Sequence, residues 1–101
     1  QIIMKLQTFE KRTRGITKSS NGYIYAKALL QNPTQRIYTC HTTGYRRFKR
    51  NLDYTNQTIA VLKKAGLTKD VDFIVGNDAP RGGLTGNYIC LTSRGRKKCI
   101  K

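Results

Sequence analysis

Much of what this chain can fold into is decided near its middle, in Asn56-Gln57-Thr58-Ile59-Ala60-Val61-Leu62-Lys63-Lys64-Ala65-Gly66-Leu67. Ile59, Leu62 and Ala65 or Gly66 recur at the spacing that places them on one face of a helix. Asp53 or Thr55 offers a side-chain oxygen to the first-turn amides, and Lys63 and Lys64 stand in the last turn, where the helix dipole favours cations. Gly66 suits the left-handed position after a helix, and Leu67 then reaches back towards Leu62. The spacing therefore predicts a helix over about Thr55 to Ala65 with a Schellman stop. That stop accounts for Lys63 and Lys64 without a ligand.

Two strands are expected after the helix, Asp72-Phe73-Ile74-Val75 and Asn87-Tyr88-Ile89-Cys90-Leu91-Thr92. The stretch from Gly76 to Gly86 joins them as a long hairpin loop with four glycines, one proline and one cation, Arg81. The loop lacks the Gly-Lys-Ser/Thr ending of a phosphate loop and the glycine spacing of a dinucleotide fingerprint, so no nucleotide cofactor is expected. It reads either as a tip or as a wing able to touch a nucleic-acid groove or backbone. Helix, glycine-leucine stop, strand, glycine-rich loop and strand is similar in order to the last helix and wing of a winged helix. That likeness is one of element order alone, because the preceding helices are not evident and no stretch carries a family motif residue by residue.

The residues before Thr55 read as strands. Met4 and Leu6 alternate within Ile2–Phe9, and Tyr23 and Tyr25 bias Tyr23–Leu30 towards a strand, although Ala26 to Leu30 also tolerates a helix. A turn at Asn32-Pro33-Thr34-Gln35 leads to Arg36–Thr43, rich in β-branched and aromatic residues, as the partner in a hairpin about Pro33. The expected fold is α+β: a small antiparallel β-sheet of about five strands, one main α-helix packed on it, basic loops and a basic C-terminal tail. Residues 1–93 are expected to form a single domain and 94–101 the tail. At 101 residues the chain supports one modest core.

Charge decides what such a fold is for. Twenty Lys and Arg against five Asp and Glu leave a net +15, beyond what solubility asks of a small domain. Residues 1–50 carry 11 cations and only Glu10, residues 51–93 balance at four against four, and residues 94–101 add five cations. Segregated charge of this kind is expected where part of a chain builds the fold and part meets a polyanion.

Three basic clusters stand out. Lys11, Arg12, Arg14 and Lys18 surround Gly15 in a stretch ending in the turn residues Ser19-Ser20-Asn21-Gly22, expected to be a surface loop or a phosphate-contacting arm. Tyr45-Arg46-Arg47-Phe48-Lys49-Arg50 combines four cations with two rings, suiting a ligand that is both anionic and flat. Arg94, Arg96, Lys97 and Lys98 form the third cluster, in the tail. These residues, with Arg81 as a loop contact, are expected to meet backbone phosphates. Tyr45 is the first choice for stacking, and Tyr23, Tyr25 and Tyr38 are further rings for stacking or packing.

Catalysis is poorly served. Glu10, Asp53, Asp70, Asp72 and Asp78 are all the carboxylates there are, and the one close pair, Asp70 and Asp72, is weak as an acid–base or metal motif. Cys40 and His41 are sequence neighbours and face opposite sides of a strand. Cys40, His41, Cys90 and Cys99 lack the paired short spacing of a zinc site. No metal, cofactor or enzymatic activity is expected.

Three cysteines without a disulfide framework point to a reducing, cytoplasmic setting. No apolar run approaches 18 residues, and Gln1–Lys5 has none of the marks of a secretory leader. The function expected is binding of nucleic acid, DNA or RNA, through Lys/Arg contacts to the phosphate backbone with aromatic stacking. The alternative is a regulator or inhibitor that docks its basic face on an acidic protein partner, and a third reading is a structural component of a ribonucleoprotein.

Overall fold

A computed structural model describes residues 4–43, 50–78 and 86–100. Among these residues the architecture is α+β, with three α-helices, a three-stranded antiparallel sheet and a separate two-stranded ribbon. Helices α1 (Leu6–Arg12) and α2 (Asn21–Gln31) precede β1 (Ile37–Tyr38), β2 (Cys40–Thr43) and β3 (Arg50–Asp53). Helix α3 (Thr55–Lys64), strands β4 (Phe73–Asp78) and β5 (Gly86–Leu91), and a 3-10 turn over Gly95–Lys98 complete the order. The sheet runs β1-β5-β4, with β5 central; β2 and β3 pair only with each other.

Helix α3 starts and ends as its sequence predicts. The Asp53 carboxylate accepts the Thr55 amide at 2.9 Å. At the other end Leu67 N–H donates to the Leu62 carbonyl at 3.0 Å and Gly66 N–H to that of Lys63 at 3.0 Å, with Gly66 at φ +100°. Those two bonds are the Schellman pair.

The expected strand Ile2–Phe9 is corrected to a helix from Leu6 onward and the expected strand Tyr23–Leu30 to a helix throughout, so that the described residues hold three α-helices rather than one main helix. Among the described residues of the first segment Met4, bridged to Ile100, and Lys5 are extended, while Leu6, Phe9 and Thr13 follow helical spacing with Phe9 and Thr13 buried. Two apolar residues two apart were too short a run to define a period. In the second, Ser20 caps the helix by accepting the Tyr23 amide at 3.3 Å. Tyr23, Ala26, Leu29 and Leu30 are buried along one stripe. A Cβ on Gly22 would lie 2.7 Å from that of Gln57, so the bare glycine lets α2 approach α3 closely.

The hairpin expected about Pro33 is replaced by a helix leading into β1, and the sheet has three strands rather than about five. The single strand expected over Arg36–Thr43 divides at Thr39. Ile37 and Tyr38 pair with Ile89 and Tyr88 of β5, whereas Cys40–Thr43 pairs with β3. Buried Thr39 holds the division: its amide donates to Asn87 at 2.8 Å, its carbonyl accepts the Tyr54 amide at 2.7 Å, and its hydroxyl lies 2.7 Å from that of Thr55. One core gathers Phe9, Leu29, Leu30, Leu62, Phe73 and Ile89 between the helices and one face of the sheet.

Residues 94–100 of the basic run after Ser93 are built into the body. Gly95, Cys99 and Ile100 are buried, Ile100 N–H donates to Leu30 at 2.9 Å, and Met4 N–H donates to Cys99 at 3.1 Å. No helix among the described residues is long and apolar enough to cross a membrane.

Candidate nucleic-acid interface

The fold brings two of the three predicted basic clusters to one place, the C-terminal end of α3. Unpaired carbonyls at a helix end attract donors, and here the donors come from far away in sequence. Arg12, in the last turn of α1, donates from Nη1 to the Ala65 carbonyl at 2.9 Å. Lys98, in the 3-10 turn, donates from Nζ to the Gly66 carbonyl at 3.4 Å. Lys64 reaches the other way, to the Arg14 carbonyl at 3.1 Å. The first basic cluster, the end of α3 and the third basic cluster thus form one corner.

Asp72 is a negative charge of that corner that is sealed inside. Its side chain is 1% exposed, and its Oδ2 takes Lys98 Nζ at 2.9 Å and the Thr68 amide at 2.8 Å. Burial alone would raise its pKa. The hydrogen bonds from Lys98 and Thr68, with the charges of Lys98 and Arg94, outweigh burial and hold it below the ordinary carboxylate value. Asp72 is therefore an anchor for the turn rather than a general base. Asp70, at φ +68°, donates its amide to the Phe73 carbonyl at 2.7 Å and shapes the same turn.

The sequence-predicted cations separate into two kinds. Arg12 and Lys98 spend their heads on internal carbonyls or carboxylate, so their charge is tied to the fold. Lys11, Arg14, Arg94, Arg96 and Lys97 are exposed around the same corner, joined by Lys63. Lys18 is exposed on the neighbouring turn and lies 3.6 Å from Glu10, across an open cleft of about 500 Å³ that Lys11, Arg14 and Ile16 also line. The first basic stretch is a folded connection rather than a free arm: Ile16 N–H donates to Thr13 and Ser20 N–H to Thr17. Tyr45, Arg46, Arg47, Lys49 and Arg81 lie outside the described residues, and Arg50 opens β3.

The rings proposed for stacking also separate. Tyr23 is buried against Phe9, ring centroids 5.3 Å apart, and Tyr25 meets Tyr54 edge-on at 5.9 Å. Tyr38 alone of the three is well exposed, at 45%. Sequence reasoning passed over Arg36 and Tyr88, which the sheet places beside Tyr38: the Arg36 guanidinium lies 4.2 Å over the centre of the Tyr88 ring. Strand alternation in Tyr38 and Tyr88 was the available signal. It needed the pairing of β1 with β5, which no local pattern reveals. Compared with known protein families, curated proteins and solved structures, the chain shows no match.

Proposed function

We propose that the chain binds nucleic acid through its phosphate backbone, by contact and without catalysis. The observation that carries this reading is the corner at the end of α3, where two basic clusters some 80 residues apart in sequence converge and Asp72, an acid between them, is buried and bonded. A surface like that has surplus positive charge with a fixed shape, and phosphates are the ligands that repay neutralisation by releasing counterions. Lys11, Arg14, Arg94, Arg96 and Lys97 are the contacts this reading favours, with Lys63 at the rim. Three helices with a strand, glycine-rich loop and strand after the last of them extend the likeness of order to a winged helix, and on that analogy the loop containing Arg81 is a further contact. A reducing, cytoplasmic setting fits the free thiols of Cys90 and Cys99.

Binding of labelled single- and double-stranded DNA and RNA across a salt series tests the proposal. A plot of log affinity against log salt should fall steeply, by about 0.9 for each phosphate neutralised on duplex DNA. Replacing Lys11, Arg96 and Lys97 together by Ala should flatten it by roughly three such increments. No binding to any of the four at low salt overturns the reading and leaves the corner to an acidic protein partner.

A further inference from the structure

The three-stranded sheet buries one face and exposes the other. Ile37, Phe73, Val75, Ile89 and Leu91 pack on the core side. By alternation and register, Tyr38, Tyr88, Ile74, Gly76 and Cys90 share the outer face, with Tyr38 opposite Tyr88 and Gly76 opposite Tyr88 on its other side. Tyr38 is 45% and Ile74 42% exposed, an unusual display for the side of a sheet that could have carried Thr, Lys or Glu.

The rings on this face are held in place. Tyr38 and Tyr88 meet edge-to-face, centroids 5.8 Å apart at 61°. A Cβ at Gly76 would fall on the Tyr88 ring, so that ring lies down against the bare backbone of β4. Above it sits Arg36, an exposed residue whose guanidinium is centred 4.2 Å from the ring. Backbone, ring and guanidinium form a fixed stack, with a second ring standing exposed beside it. Ordering is thus settled before any ligand arrives, which lowers the entropic cost of stacking.

We infer that the outer face of the sheet, through Tyr38 and the Arg36–Tyr88 stack, is a platform for the unpaired bases of single-stranded nucleic acid. This rests on the reading of the chain as a nucleic-acid binder and names the form it takes. Flat aromatic bases have π-faces for a tyrosine ring and for a guanidinium plane, and their phosphates suit a protein of net +15. A duplex hides its base faces in its own stack and has no use for exposed rings. Arg36 adds a guanidinium plane, a flat group on which a base can stack, together with its positive charge.

The test uses the whole protein and two labelled single strands of about a dozen residues, oligothymidylate and an abasic strand of the same phosphate length, read by fluorescence anisotropy. Wild type should bind the thymine strand at least about fivefold more tightly than the abasic one, the low end of what a stacked base contributes. Tyr38→Ala should remove most of that preference and Tyr38→Phe retain it, while Arg36→Lys, which keeps the charge and loses the plane, should weaken it. Affinity for the abasic strand should hold in the Tyr38 variants. Equal binding of both strands by wild type, or preference for duplex, overturns the inference and leaves backbone binding standing. No binding to either strand or to duplex overturns both. The wild-type comparison of the two strands needs no variant and so is independent of folding defects.

Discussion

The corner at the end of α3 and the outer face of the sheet use arginine in opposite ways. In the corner Arg12 is consumed by a carbonyl of the fold, whereas on the sheet Arg36 rests on a ring. Each region also depends on a glycine whose missing Cβ leaves room for a neighbour. At Gly95 the neighbour is the Asp72 backbone, and at Gly76 it is the Tyr88 side chain. Backbone held by its own hydrogen bonds cannot give way, whereas a ring at a surface can turn. Overfilling the corner therefore has to move backbone, whereas overfilling the platform has to displace only the Tyr88 ring from the stack that otherwise holds it.

The largest expected effect follows from that difference. In Gly95→Ala the new methyl would fall on the Asp72 carbonyl, which also accepts the Thr92 amide at 3.0 Å. Urea unfolding should show a loss of about 3 kcal/mol, at the upper end for overpacking. Gly76→Ala should cost about 1 kcal/mol, because only the Tyr88 ring has to move, yet it should abolish the preference for thymine over abasic strands. Equal losses of stability in the two variants would break the distinction between the regions.

Within the corner, neighbouring lysines should behave differently. Lys98→Ala leaves Asp72 buried without its charged partner. Since the Lys98 side chain is 38% exposed, solvent screens part of the loss, and about 1–2 kcal/mol is expected by thermal or urea unfolding. Lys97→Ala should stay within about 0.5 kcal/mol of wild type in stability and reduce the salt slope on duplex DNA by about 0.9. If Lys97→Ala unfolded the protein as readily as Lys98→Ala, the separation into fold-tied and ligand-facing cations would fail.

How far the sequence reached depends on the range of the forces involved. Helix α3 was legible because Asp53, the Ile59–Leu62 stripe and the Gly66–Leu67 stop all act within a turn or two of the residues they control. Strands β4 and β5 were legible as short apolar runs around a glycine-rich loop. Helix α1 reads as a strand from the Met4–Leu6 alternation, too short a run to define a period, and α2 does so because tyrosine favours strands only where a sheet surface receives it, whereas Tyr23 is received by Phe9 on a helix. The clusters Lys11–Lys18 and Arg94–Lys98 were visible as charge. Their meeting at Ala65 and Gly66 was not, since it depends on three elements packing together. Arg12 and Lys98 looked like their neighbours in sequence, and only the carbonyls they reach distinguish them.

The smallest effect expected is a pH dependence confined to the corner. Asp72 titrates below the ordinary carboxylate value in the folded protein and near pH 3.9 when unfolded. A lowered folded pKa means that the unfolded chain takes up the proton first. The stabilisation is thus full above about pH 4 and is lost as pH falls through the lowered value. Asp72→Asn should be less stable than wild type at neutral pH, and the gap in melting temperature should narrow on acidification below about pH 4. The two proteins differ only at residue 72, so the difference between the two curves isolates Asp72. A gap that stayed constant down to pH 3 or so would mean that its charge contributes nothing to the corner. Asp72 is no part of the stack of Gly76, Tyr88 and Arg36, and the thymine preference should be unchanged in Asp72→Asn at neutral pH. If that preference fell with the corner's stability, the two regions would be one cooperative unit and the contrast between them would have to be given up.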